Sequence, residues 1–179
     1  MNRKKNSPLL ILQMVILSCG SITRLSHAGV QCNGSEVQLE LRKNYPGWQV
    51  VRLEDLRSED RDLWVKQHGI DCPGIFEAHL KSQTYKSFVL TIFKKNRELQ
   101  QILLIVDEGK GSHPVTVLDG PRKVAYLSVV SKMSPGAYWG VDGRKVDVSL
   151  DSVLYEAIEA GSTLYYFRDG RFSYISVSE

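Results

Sequence analysis

"TLYYFRDGRFSYISV", residues 163–177, is a pair of β-rich runs set around one dipeptide. Thr163-Leu164-Tyr165-Tyr166-Phe167 and Phe172 to Val177 are dense in aromatic and β-branched residues, and Arg168-Asp169-Gly170-Arg171 separates them. Asp-Gly accepts positive φ at both central positions of a two-residue connection, the conformation whose twist matches a right-handed strand pair. The stretch therefore predicts a hairpin closed by a type I′ turn. Side chains alternate along a strand, which sends Tyr165 and Phe167 to one face and Tyr166 to the other.

Upstream, β patterning continues. Phe88-Val89-Leu90-Thr91-Ile92-Phe93 and Ile102-Leu103-Leu104-Ile105-Val106 are nearly continuous apolar runs on either side of the charged turn Lys94 to Glu98, as in a hairpin buried on both faces. Val115 to Leu118, Val124 to Val130 and Val146 to Leu150 read as further strands. Breaks are expected at Asp119-Gly120-Pro121, Ser134-Pro135-Gly136 and Asp142-Gly143.

The first third of the chain is helical in pattern. Ser35 followed by Gln38 fits a capping box, and Val37, Leu41 and Tyr45 then share one helical face; Val37, Leu39 and Leu41 also alternate as a strand would, and the helix is the preferred reading. Pro46-Gly47 ends it and Trp48 to Leu53 is extended. Ser58 is placed to cap a second helix with Glu59 and Asp60 in its first turn and Leu63 and Trp64 on its apolar side, stopped by Gly69. The fold class is α+β: two N-terminal helices packed on a largely antiparallel β-sheet, a single domain over residues 29–179.

Residues 1–28 read as a signal peptide. Arg3, Lys4 and Lys5 precede the apolar run Leu9 to Leu17, which is shorter than the roughly 20 residues a membrane-spanning helix needs. Two processing points compete. Ser26-His27-Ala28 suits a general signal peptidase and leaves a soluble secreted or periplasmic chain, whereas Ile16-Leu17-Ser18-Cys19 resembles a lipobox, with Cys19 lipidated and the chain anchored to a membrane. Neither route leaves a transmembrane span. The full chain carries +3, but the leader holds four of its 23 basic residues and none of its 20 acidic ones, which leaves 19 against 20, net −1. No cluster of Lys and Arg with aromatic residues marks a nucleic-acid footprint.

The order Tyr45-Pro46-Gly47-Trp48, Asp55-Leu56, Ser58-Glu59-Asp60, His68-Gly69 leading into Cys72-Pro73-Gly74, and a terminal Leu164-Tyr165-Tyr166-Phe167-Arg168-Asp169-Gly170-Arg171 covers most of the mature chain. It resembles a family of uncharacterised secreted bacterial proteins, which has no activity to transfer. In that family an acidic turn of the "DFYGDGKP" type follows the CPG triplet. Here the matching positions read His79-Leu80-Lys81-Ser82-Gln83-Thr84-Tyr85, without carboxylates and with Lys81 in their midst, so neither calcium nor any other metal is expected.

Export also decides how the cysteines are read. Cys32 and Cys72 remain in either mature form, and an even pair in an oxidising compartment predicts a disulfide. The rival is a Cys72 nucleophile assisted by His68 or His79, which would need a histidine placed by the fold and a third orienting group. Other catalytic signals are weak. Gly109-Lys110-Gly111-Ser112 lacks the phosphate-loop spacing. Glu54, Asp55, Glu59, Asp60 and Asp62 fall where solvated helix-start carboxylates belong, and there is neither a G-x-S-x-G elbow nor an H-E-x-x-H pair. No catalytic residues and no cofactor are assigned.

Aromatic residues remain. Tyr138-Trp139 in the expected Ser134 to Gly143 loop, together with the outward half of the terminal hairpin, here Tyr166 and Tyr174, form the expected surface for a protein partner. The leading function is an exported, non-catalytic binding protein of the envelope or extracellular space, including an inhibitor or immunity-type protein. The alternatives are a hydrolase with a dispersed site around Cys72 and a structural lipoprotein tethered through Cys19.

Overall fold

The structure, a computed structural model, describes Cys32 and residues 35–94, 99–107 and 114–178. The expected leader, Cys19, the Ala28 processing point, residues 95–98 of the expected Lys94 to Glu98 turn and the Gly109 to Ser112 segment lie outside the described residues. Two helices and eleven strands fill the remainder, and all the strand pairs are antiparallel, consistent with an α+β class.

Helix α1 spans Ser35–Asn44, burying Val37 and Leu41 and exposing Leu39 at 70%, so the period is helical and the alternating reading of that stretch falls away. A three-residue strand β1, Trp48–Val50, and a 3-10 turn, Leu53–Asp55, lead to helix α2, Ser58–His68. Ser58 is not its cap. Arg57 occupies that position, and its guanidinium grips the buried Asp60 through two bonds of 2.7 and 2.8 Å. Ser58 is the first helical residue; the Glu59 backbone N–H, and then the Ser58 hydroxyl, hold the Glu59 carboxyl below its ordinary range. Gly69, with φ 68°, donates to Val65 O and closes the helix as expected.

The first sheet runs β1, β3 (Lys86–Lys94), β4 (Leu99–Asp107), β5 (Val115–Lys123), with β2 (Ile75–Ala78) also pairing β3. The β3–β4 hairpin stands where the apolar runs put it, with Val89 and Leu90 of β3 in different hydrophobic clusters and both fully buried. Asp119-Gly120-Pro121 does not break the chain. Strand β5 continues through it on a cis Gly120–Pro121 bond, and the irregularity is absorbed as register shifts against Gln100 to Leu103.

A second sheet orders β11 (Arg171–Ser178), β10 (Gly161–Arg168), β9 (Ser152–Ala157) and β6 (Val129–Met133). Of the expected strand Val124 to Val130, only Val129 and Val130 are in a strand. Residues 124–128 pass irregularly over the first sheet, where buried Gln100 donates to Thr91 Oγ1 and to Ser128 O and accepts the Ser128 N–H. The β10–β11 connection is the expected tight turn, with Asp169 at φ 51° and Gly170 at φ 78°, the double positive φ of type I′. The two sheets meet through Ala78, Val89 and Ile102 on one side and Val130, Val153, Tyr155 and Tyr165 on the other.

The segment expected as a loop from Ser134 to Gly143 instead begins a third, two-stranded layer, β7 (Gly136–Trp139) paired with β8 (Lys145–Val148). Val146 and Val148 of this hairpin pack with Leu164, Tyr166 and Ile175 on the far face of the second sheet. Tyr166 is therefore 6% exposed, which corrects its expected place on the surface: both faces of β10 are covered.

Candidate functional site

The β7–β8 hairpin carries the surface features of greatest interest. Its turn is built locally: Asp142 Oδ1 accepts the Arg144 N–H at 3.0 Å, Gly143 donates to Gly140 O at 2.9 Å, and Gly140 donates to Arg144 O at 2.8 Å. The hairpin tip then docks on β11, where Val141 N–H donates to Ser176 O at 2.9 Å. Gly140 makes this approach possible. A Cβ there would stand 2.6 Å from Asp142 Oδ1 and 3.3 Å from Ser176 O.

Around the docking point the aromatic residues separate by role. Tyr138 is half-buried against the cluster beneath the hairpin, its hydroxyl donates to Ser134 O, and burial followed by the Asp151 charge pushes its phenol up. It props the hairpin. Trp139 and Tyr174 are each 63% exposed, and Val141 stands half exposed between the hairpin and β11. Val141 is bonded to Ser176, and Tyr174 lies two residues, roughly 7 Å, along the same strand, its ring beside Tyr165 on the sheet face opposite the one that the hairpin covers. Of the four aromatic residues expected to bind a partner, the structure leaves Trp139 and Tyr174 open, half-buries Tyr138 under the hairpin and buries Tyr166.

The cysteine question has a direct answer. Cys32 and Cys72 form a disulfide with Cα atoms 5.4 Å apart, so Cys72 presents no thiol. His68 stacks on Trp64 with ring centroids 4.0 Å apart. His79 donates its backbone N–H to Asp151 Oδ2 at 2.9 Å, and its buried Nδ1 has no partner among the described residues. The acidic run is part of the fold: Asp55 Oδ2 accepts the Arg52 N–H and Asp60 pairs with Arg57. Among the described residues no three His, Cys, Asp or Glu side chains converge as a metal site.

One constellation was not anticipated. Tyr165 donates its hydroxyl to Asp119 Oδ2 at 3.0 Å, Arg122 reaches the same oxygen at 3.0 Å, and the Arg122 guanidinium lies 4.9 Å from the Tyr155 ring centroid. Burial, then the Asp119 charge, raises the Tyr165 phenol far above its ordinary value. The phenol stays neutral and the carboxylate is balanced, so the group latches β5 to β10 and supplies neither a base nor a nucleophile. Beside it, Arg122, Thr163, Ser176 and Ser178 help line an open polar hollow of about 290 Å³. Sequence gave one signal for it, Asp and Arg three residues apart, which is indistinguishable from an ordinary exposed pair.

No protein-family model, curated protein or solved structure matches the chain.

Proposed function

We propose that the chain is an exported, non-catalytic binding protein, secreted or periplasmic, that holds a protein partner at the hairpin tip and β11 edge, through Trp139 and Val141 on one side and Tyr174 on the other. The observation that carries this reading is the exposure of two large aromatic side chains on a hairpin and strand locked together by the Val141–Ser176 bond. Aromatic residues on a rigid support give contact area at low entropic cost, the character of interface anchors. Burial of the Cys72 sulfur in a disulfide weighs against the hydrolase reading, because no nucleophile remains there. An inhibitor or immunity-type role agrees with this chemistry, as does the resemblance to secreted bacterial proteins. In the same reading the two helices lie over the first sheet, on the side where Val37 and Leu41 are buried.

Capture from the envelope fraction of a producing bacterium tests the function. Tagged full-length protein is expected to retain one defined partner. Trp139→Ala with Tyr174→Ala is expected to lose it by at least tenfold while thermal unfolding is unchanged. Equal capture by both proteins would remove the surface from consideration.

A further inference from the structure

Strand β11 is an outer edge of the second sheet, and its unused main-chain groups define what fits beside it. In a two-residue hairpin the flanking pair Arg168 and Arg171 is hydrogen-bonded, so alternate residues 171, 173 and 175 point their N–H and C=O toward β10. Phe172, Tyr174 and Ser176 point theirs outward. The Val141 N–H bound to Ser176 O confirms that parity and closes the edge at that end. The Asp169-Gly170 turn closes the other. Between them, the N–H and C=O of Phe172 and Tyr174 have no partner among the described residues.

Two other outer strands are guarded. Outer strand β5 carries Pro121, which offers no N–H, with Arg122 and Lys123 beside it, and Val130 of β6 donates to Pro73 O at 2.9 Å. On β11, Phe172 to Ser178 holds no charge and the outward-facing side chain Tyr174 is aromatic.

We infer that the occupant of this edge is β11 of a second copy of the chain, paired antiparallel about a two-fold axis at Ser173. In that register Phe172 faces the second copy's Tyr174 and Tyr174 faces its Phe172, so all four open groups on each copy are bonded. A shift toward the turn leaves both Tyr174 groups unpaired, and a shift the other way sets Phe172 against Ser176, whose carbonyl already holds Val141. Phe172 and Tyr174 share the face on which Tyr174 already meets Tyr165, ring centroids 5.8 Å apart, so each cross-strand pair adds an aromatic contact. The hairpin tip at Ser176 comes opposite the other copy's turn, so the ion-paired Asp142 and Arg144 of the tip meet Arg168, Asp169 and Arg171 there, while the two Arg171 side chains stand about 14 Å apart along the strands. The inference goes beyond the partner-binding reading: it rests on main-chain groups that reading does not use and shares with it the Tyr174 side chain alone.

Ser173 lies on the axis in a non-hydrogen-bonded pair, where Cα atoms are about 4.5 Å apart, within the span of a disulfide. The full exported chain carrying Ser173→Cys is expected to form a covalent dimer under mild oxidation. Arg171→Cys and the parent chain are expected to remain uncrosslinked. By sedimentation the parent should double in mass as concentration rises, and Tyr174→Pro should stay monomeric, because it removes only an outward N–H, whereas Tyr174→Ala should still dimerise. A parent chain that is monomeric at every concentration, or a dimer in which Ser173→Cys links no better than Arg171→Cys, would overturn the inference. Unchanged partner capture by Trp139→Ala with Tyr174→Ala, with the dimer intact, would count against the functional reading alone.

Discussion

Tyr165 shows how a side chain that looks like a contact residue can be a fastener. Its ring is buried and its hydroxyl reaches Asp119 across the two sheets, so that burial first and the Asp119 charge second raise its pKa above the unfolded value of about 10. A raised folded value means a contribution fully present below about pH 10 and lost as pH climbs above it. Tyr165→Phe is therefore expected to lower stability by about 1 kcal/mol near neutrality and to flatten the decline between about pH 10 and 12, read from urea unfolding at each pH. An identical alkaline slope in both proteins would deny the latch. Gln100 is the second fastener. Replacing it with methionine keeps its length but strands the Ser128 N–H and C=O, at an expected cost of roughly 2–4 kcal/mol in the same assay.

At the scale of elements, the Cys32–Cys72 bond closes a loop of 40 residues that holds α1, β1 and α2. On the chain-entropy account such a loop is worth roughly 4 kcal/mol, so reduction should lower the unfolding free energy by about that amount, and an unchanged value would mean the loop is held by packing alone. The elements legible beforehand were those with local punctuation. Asp169-Gly170 announces β10 and β11, the two apolar runs announce β3 and β4, and Gly69 announces the end of α2. Strand β9 offered no such sign: Leu154-Tyr155-Glu156-Ala157 has no alternation, and its place between β6 and β10 is a long-range outcome. Strand β5 misled in the other direction, because Gly120-Pro121 reads as a stop and the fold absorbs it as an irregularity. The candidate site followed the same rule. Aromatic density pointed to Trp139 and Tyr174, but the burial of Tyr166 depends on a β7–β8 layer that only tertiary structure supplies.

Across the whole molecule, three β layers place one sheet in the middle, covered on one face by the first sheet and on the other by the β7–β8 hairpin. That arrangement leaves the middle sheet's surface chemistry at its β11 edge and at the hairpin tip docked there, where Trp139, Val141 and Tyr174 are exposed. The most direct test of a partner surface is site-specific photo-crosslinking in the producing cell, with a benzophenone side chain at position 139 and, as control, at position 70. Ile70 is 89% exposed and follows α2, remote in sequence from the hairpin. The account predicts a heterologous adduct of one defined mass from position 139 and none from position 70. The same adduct from both positions, or no heterologous adduct from position 139, would contradict it.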